Sequence, residues 1–456
     1  FTNILALLSF AELGIGNAII YSLYKPLAVK DKEKIRQLMS LYAKAYKLIG
    51  IFIFVSGLLV IPFINYIIKD PPNIKENIYL IYLLFLLNTS LSYFYVYKKS
   101  IIIADQKSYI VSIYRQMFHI AQVVTQILFL LLTREYIVFL LLQIMYTIMN
   151  NIATSRKADK MYPFLRIGDP KPLDKIEVKN IYKNVKALFL YKLGSVILNG
   201  TDNVIISALI GVHAVGLCSN YLLIISAFTT ISSQIMNAFT ASVGNLNAIG
   251  DKNNKERVFN RIFFVSAWIY GFLSVGLYMF INPLIDLWLG PEFILSQGVV
   301  FSLVLHFYIN SVHFAAYTYR TTMGLFVQGR LAPLAAAILN IILSIILAKP
   351  LGLMGVFLAT SISRFFTTGI VDPILVYRVG FKKNPLFYYI RYFWFVFIFG
   401  SLYVMLNQVI SLINIDGMFG FIVKVSIVTF LFNGILIVVF WKTQDFIEIK
   451  RALMNI

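Results

Sequence analysis

The chain has 456 residues, 59% of them hydrophobic and 13% charged, with a formal net charge of +20. Soluble domains carry about 25% charged residues, so this composition excludes a soluble enzyme and calls for a bilayer as solvent. The basic excess is dispersed between apolar runs, which argues against a nucleic-acid surface, and a single cysteine, Cys218, excludes a disulfide framework or a cysteine metal cluster.

A membrane-spanning helix needs ~20 apolar residues. Taken in chain order, such runs predict helices over 1–24, 46–68, 78–97, 109–132, 136–154, 185–210, 214–246, 259–285, 298–319, 331–348, 353–376, 389–412 and 418–441. The runs are continuous and lack the short alternation of outer-membrane strands, so a β-barrel is excluded. The 39 Phe and 28 Tyr suit lipid-facing and interfacial positions. The 214–246 run is long enough to continue past the bilayer.

Lys and Arg mark the cytoplasmic side. Lys25 to Lys47, Lys98, Lys99, Lys107, Arg115, the 156–192 stretch, Lys252 to Arg261, Arg320, Arg330, Arg378 to Arg391 and Lys442 to Arg451 fall in one set of connections. The opposite set holds only Lys69, Lys75, Arg134 and Lys349. A cytoplasmic C-terminus follows.

The two halves resemble each other. Asn17-Ala18, Ser22 and Asp31-Lys32 recur as Asn237-Ala238, Ser242 and Asp251-Lys252, 220 residues on. Tyr95, Tyr97, Lys98 and Gln106 recur as Tyr317, Tyr319, Arg320 and Gln328, 222 residues on. This offset spans six helices, so both halves enter the membrane in the same sense, as in two-lobed transporters. The expected organisation is an N-terminal lobe at 1–154, a cytoplasmic linker at 155–184, a C-terminal lobe at 185–378, and two additional helices with a tail at 379–456. The partner of 185–210 is expected before Phe1. Asp174 with Glu177 reads as a capping box that opens a cytoplasmic helix.

Polar residues inside spans are costly and usually face a cavity or a partner. In 109–132, Ser108, Ser112, Arg115, His119, Gln122 and Gln126 share one helical face. Arg115 is placed to meet an anion, and His119 to titrate near neutral pH. The second half does not repeat this stripe, since Arg115 maps to Ala337 and His119 to Ile341. A second face holds Lys192, Ser195, Asn199 and Asp202; a third runs from Ser226 through Asn237 to Thr240. Such small polar faces serve either helix packing or binding. Arg364 is a further anion candidate, and Glu12 and Asp202 are candidates for ion coupling. His306 and His313 lie seven residues apart on one face and do not by themselves make a site. No nucleotide-binding loop or metal-ligand cluster is visible, so no cofactor is expected and ATP does not drive the protein directly.

Several stretches resemble Wzx-type polysaccharide repeat-unit flippases. They are Phe1–Leu5 through Ala11-Glu12-Leu13-Gly14-Ile15-Gly16 to Tyr21–Ala28, Thr201–Ser207, Gly216–Tyr221, Asn237–Leu246, Tyr319-Arg320 to Phe326, and Gly355–Thr360. That family belongs to the multidrug/oligosaccharidyl-lipid/polysaccharide (MOP) exporter superfamily. The resemblance implies an all-α polytopic membrane protein with two pseudo-symmetric six-helix lobes plus two extra C-terminal helices. It implies no enzyme activity, but outward movement of undecaprenyl-pyrophosphate-linked oligosaccharide for capsule, O-antigen or exopolysaccharide, driven by a proton or sodium gradient. Its partners would be the polymerase and glycosyltransferases of that pathway. Alternatives are a drug/cation antiporter, which would favour acidic cavity residues, and a peptidoglycan-precursor flippase. A membrane glycosyltransferase or polymerase would need larger outer loops than the dozen or so residues around 286–297.

Overall fold

The computed structural model describes residues 15–63, 77–166, 170–249, 252–415 and 417–454. Within them the chain forms helices and no strand. The N-terminal half contributes α1 (Ile15–Ala28), α2 (Lys32–Val60), α3 (Ile78–Ser92), α4 (Tyr97–Ala104), α5 (Ser108–Thr133) and α6 (Tyr136–Met161). Next come α7 (Lys175–Leu209), α8 (Val212–Ile249), α9 (Lys252–Leu289), α10 (Gln297–Val312), α11 (Phe314–Thr322), α12 (Ala332–Leu351), α13 (Leu353–Phe366) and α14 (Thr368–Leu375). A π turn at Val376–Phe381 leads to α15 (Leu386–Ser411), α16 (Gly417–Phe440) and the short α17 (Gln444–Met454).

Ten described helices are long and apolar enough to cross a membrane, or eleven if α3 and α4, bent by 44°, form one span. The protein is therefore a multi-pass membrane protein. The predicted run 1–24 lies largely outside the described residues. The 185–210 run is the second part of α7, which continues to Leu209. Helix α8, with 38 residues, is about 57 Å long at 1.5 Å per residue, well beyond the ~30 Å hydrocarbon core.

Several basic stretches read as connections are helical. Asp31 caps α2 by accepting from the Lys34 amide at 3.0 Å, and Glu33 complements the helix dipole, so the helix starts at Lys32 and carries Lys34 to Lys47. Lys98 and Lys99 likewise lie in α4. The helix expected near Asp174 also forms. Asp174 accepts from the Ile176 amide at 3.4 Å, whereas the Glu177 carboxylate pairs with Lys34 on α2 and does not complete a capping box.

The chain divides into two compact units, Phe1–Phe189 and Leu190–Ile456, with the boundary inside α7. In the first, α5 and α6 pack on each other and α6 on α3, around Ile81, Leu84 and Leu140. In the second, one continuous core surrounds α9, with Phe259 meeting the rings of Tyr319, Tyr377 and Phe381 edge-on at 5.1–5.6 Å. Helices α15 and α16 pack on α9 within this core. Helix α17 is tied to the same helices. Phe446 stacks on Trp268, Asp445 pairs with Arg391, and Glu448 pairs with Arg261.

Candidate functional site

The C-terminal unit contains two buried polar networks, each built across helices that are otherwise apolar. The first centres on Asp202 of α7. The Thr360 hydroxyl of α13 lies 2.9 and 3.0 Å from its two carboxylate oxygens. Asn340 of α12 places its amide nitrogen 2.8 Å from Thr360 Oγ1 and 3.4 Å from Asp202 Oδ1. The Asn340 carbonyl accepts from Thr201 at 3.0 Å. Asn340, Thr360 and Ser344 are buried. Close helix approach makes the network possible: a Cβ on Gly194 of α7 would stand 2.4 Å from the Leu334 backbone nitrogen of α12. Asp202 thus receives neutral donors, and the nearest positive field comes from Arg364, one turn beyond Thr360. Arg364 itself bonds Asn310 of α10.

The second network joins α7, α10, α11 and α14. Arg320 Nε lies 3.0 Å from Asp372 Oδ1, and neither side chain has any exposure. The two atoms are close but not in hydrogen-bond alignment. The guanidinium also lies 4.1 Å above the Tyr191 ring and 5.6 Å from that of Tyr317. Asp372 Oδ2 lies 3.4 Å from the Tyr191 hydroxyl and 3.1 Å from His313 Nε2. His313 Nε2 is equally close, 3.1 Å, to the Thr368 carbonyl.

Sequence reasoning placed Arg320 among the loop charges. The structure corrects this: Arg320 lies inside α11, which runs to Thr322, and is fully buried. Asp372, Asn340, Thr360 and Tyr191 were not singled out at all. Asp372 had one legible signal, a carboxylate within an apolar run beside Pro373.

Of the predicted residues, Asp202 and Arg364 come together across α7 and α13. Asn237 is exposed on α8, Lys192 is half-buried, and the Asn199 side chain and Glu12 lie outside the described residues. On α5, Arg115 and His119 are exposed and Gln122 is half-buried. Gln126 is buried, bonded to Gln122 at 3.3 Å and to the Phe139 carbonyl of α6 at 3.0 Å. No group of described residues has the composition of a metal site.

No known family model and no curated protein sequence matches the chain. Solved structures do. An outward-facing multidrug resistance MATE family transporter of the MOP superfamily aligns over 88% of this chain and 86% of its own, with a TM-score of 0.66 at 13% identity. A mutant of the Vibrio cholerae MATE transporter VcmN gives 0.66 at 12% identity, over 85% and 88% of the two chains. The chain has the MATE fold. A MOP superfamily transporter from Pyrococcus furiosus, described as having a binding pocket of reversed polarity, shares it with a TM-score of 0.63 at 11% identity, over 82% and 84%. These neighbours are transporters, not enzymes. The MATE fold accommodates the apolar helices read from the sequence.

Proposed function

We propose that the protein is a MOP-type exporter that moves undecaprenyl-pyrophosphate-linked oligosaccharide outward across the bacterial cytoplasmic membrane by alternating access, in capsule, O-antigen or exopolysaccharide assembly. The observation that carries this reading is the charge of the candidate residues on the polar helical faces, taken with Arg364. Among those candidates Asp202 is the one described carboxylate, beside the cations Arg115, Lys192 and Arg364. A surplus of cations suits a pyrophosphate, which cannot cross hydrocarbon without partners. Arg115 offers two parallel donors to phosphate oxygens. His119, Gln122, Asn199 and Asn237 supply polar groups for the glycan, while Gln126 is spent on the packing of α5 against α6. Asp202, held by neutral hydroxyl and amide donors, is the carboxylate that exchanges the coupling proton or sodium ion.

The test is deletion of the gene and complementation with variants, measuring surface polysaccharide and lipid-linked repeat units together. The deletion strain should lose the polysaccharide and accumulate repeat units on the inner leaflet. Arg115→Ala should restore little and Arg115→Lys a part, at equal membrane levels. Intact polysaccharide in the deletion strain, with no accumulation, overturns the reading. The setting of Asp202 also fits a cation-coupled drug antiporter of the same superfamily, and drug sensitivity of the deletion strain with intact polysaccharide would establish that alternative.

A further inference from the structure

Two spans of the C-terminal unit are interrupted, and the interruptions face each other. Helix α10 stops at Val312 and α11 starts at Phe314, so His313 sits between them. Helix α13 stops at Phe366 and α14 starts at Thr368, with Thr367 at φ −113° and ψ −89°. Pro373 follows, lacking the amide that would serve the Gly369 carbonyl. In a membrane, every carbonyl of such an irregular stretch needs a partner. The Tyr389 hydroxyl of α15 serves Ile370 at 2.9 Å, and the His313 ring serves Thr368 at 3.1 Å.

His313 does more than cap. Its Nε2 faces two acceptors, the Thr368 carbonyl and the Asp372 carboxylate, so Nε2 must carry a hydrogen in either charge state of the ring. That fixes the neutral tautomer and leaves Nδ1 as the position where a second proton adds. The groups around it are Asp372 from α14, Arg320 and Tyr317 from α11, Tyr191 from α7, Arg364 from α13, and Tyr388, Tyr389 and Tyr392 from α15. Asp372 is the one carboxylate in this set, and it is already shared with Arg320.

We propose that His313 and Asp372 form a proton-binding site, distinct from Asp202, at the meeting of the two helix interruptions. A proton taken from water binds His313 Nδ1, and no other bond forms or breaks. The imidazolium then competes with the Arg320 guanidinium for Asp372. Proton uptake therefore weakens the hold of α11 on α14 and strengthens that of the α10 terminus. The site sits where each span can bend, so its charge state sets which of the two clasps is tighter. This inference does not depend on the identity of the transported substrate.

The experiment is a pH titration of the full chain in lipid nanodiscs with carbon-13 histidine, read by NMR. His313→Gln, which keeps a side-chain donor but cannot bind the proton, identifies the resonance. The His313 signal should change across a titration run from about pH 8 to about pH 5, reporting proton uptake at Nδ1. Asp372→Asn should move the midpoint of that change by at least tenfold in proton concentration, because Asp372 Oδ2 lies 3.1 Å from the ring. Asp202→Asn should leave the midpoint within about twofold. Should Asp372→Asn fail to accumulate, its combination with Arg320→Met removes both buried charges together and tests the same carboxylate. A wild-type His313 signal that stays constant across the range, or a midpoint indifferent to Asp372, overturns the proposal.

Discussion

At the repeat offset of 222 residues, Leu91, in the last turn of α3 just before the break to α4, corresponds to His313, which sits at the break between α10 and α11. The first break is clasped by Asn151 of α6, whose amide donates to the carbonyls of Ser92 at 2.9 Å and Phe94 at 3.3 Å. The second is clasped by His313 and Asp372. Lys98 and Arg320 also correspond, and each is ion-paired. Lys98 meets Asp159 at 2.7 Å with side chains 17% and 9% exposed, whereas Arg320 meets Asp372 with both at 0%. The duplicated fold imposes the same demand twice, a partner for freed carbonyls and a cation beside them. One copy meets it with a neutral amide and a partly wetted ammonium. The other uses ionisable groups and a guanidinium that keeps its charge without water. The dry copy should therefore be the more sensitive to substitution, because removing one partner leaves a buried charge unmatched.

The largest difference should come from deleting the two acids. Asp372→Ala leaves Arg320 buried and uncompensated, a loss of about 3–5 kcal/mol. Asp159→Ala should cost only about 1–2 kcal/mol, because Lys98 and Arg166, its two partners, reach water. Unfolding in mixed micelles compares them, and equal losses would erase the distinction between the clasps. Next come the two glycines that let helices approach. Gly194→Ala meets the Leu334 backbone at 2.4 Å and should cost about 2–3 kcal/mol. Gly57→Ala meets the Leu86 side chain at 2.2 Å, which can rotate away, and should cost roughly 1 kcal/mol. Asn151→Ala should cost about 1–2 kcal/mol by orphaning two carbonyls, with no change between pH 5 and pH 8. A pH-dependent loss there would show that the first break is titratable too. The smallest effect is expected at the exposed Lys383–Glu256 pair, where Lys383→Ala should change stability by under ~1 kcal/mol.

Long apolar runs made most spans legible: 389–412 and 418–441 became Leu386–Ser411 and Gly417–Phe440, and 109–132 became Ser108–Thr133. The breaks were not legible. At His313 the backbone stays near helical values, φ −61° and ψ −14°, with no glycine or proline to announce a change. Arg320 was misread because a tally of basic residues between apolar runs cannot tell a charge in a loop from one in a helix that continues past the run. Asp202 was legible as a polar residue in phase with Asn199 and Ser195. Its partners were not, since Asn340 and Thr360 are isolated polar residues whose meaning lies in the packing of α12 on α13.

The dry pair also bears on how the chain enters the membrane. Asp372 follows Arg320 by 52 residues, so at roughly 5–20 residues per second the ribosome delivers it several seconds later. Until then the guanidinium has left the aqueous tunnel with no counter-charge, in a setting where it costs about 2.5–3.5 kcal/mol on insertion scales. Helix α11 therefore cannot settle at its final depth when it is made. It must wait near the headgroups or the insertase until α14 arrives, and a chain released before Asp372 would carry a span with no stable home in the bilayer.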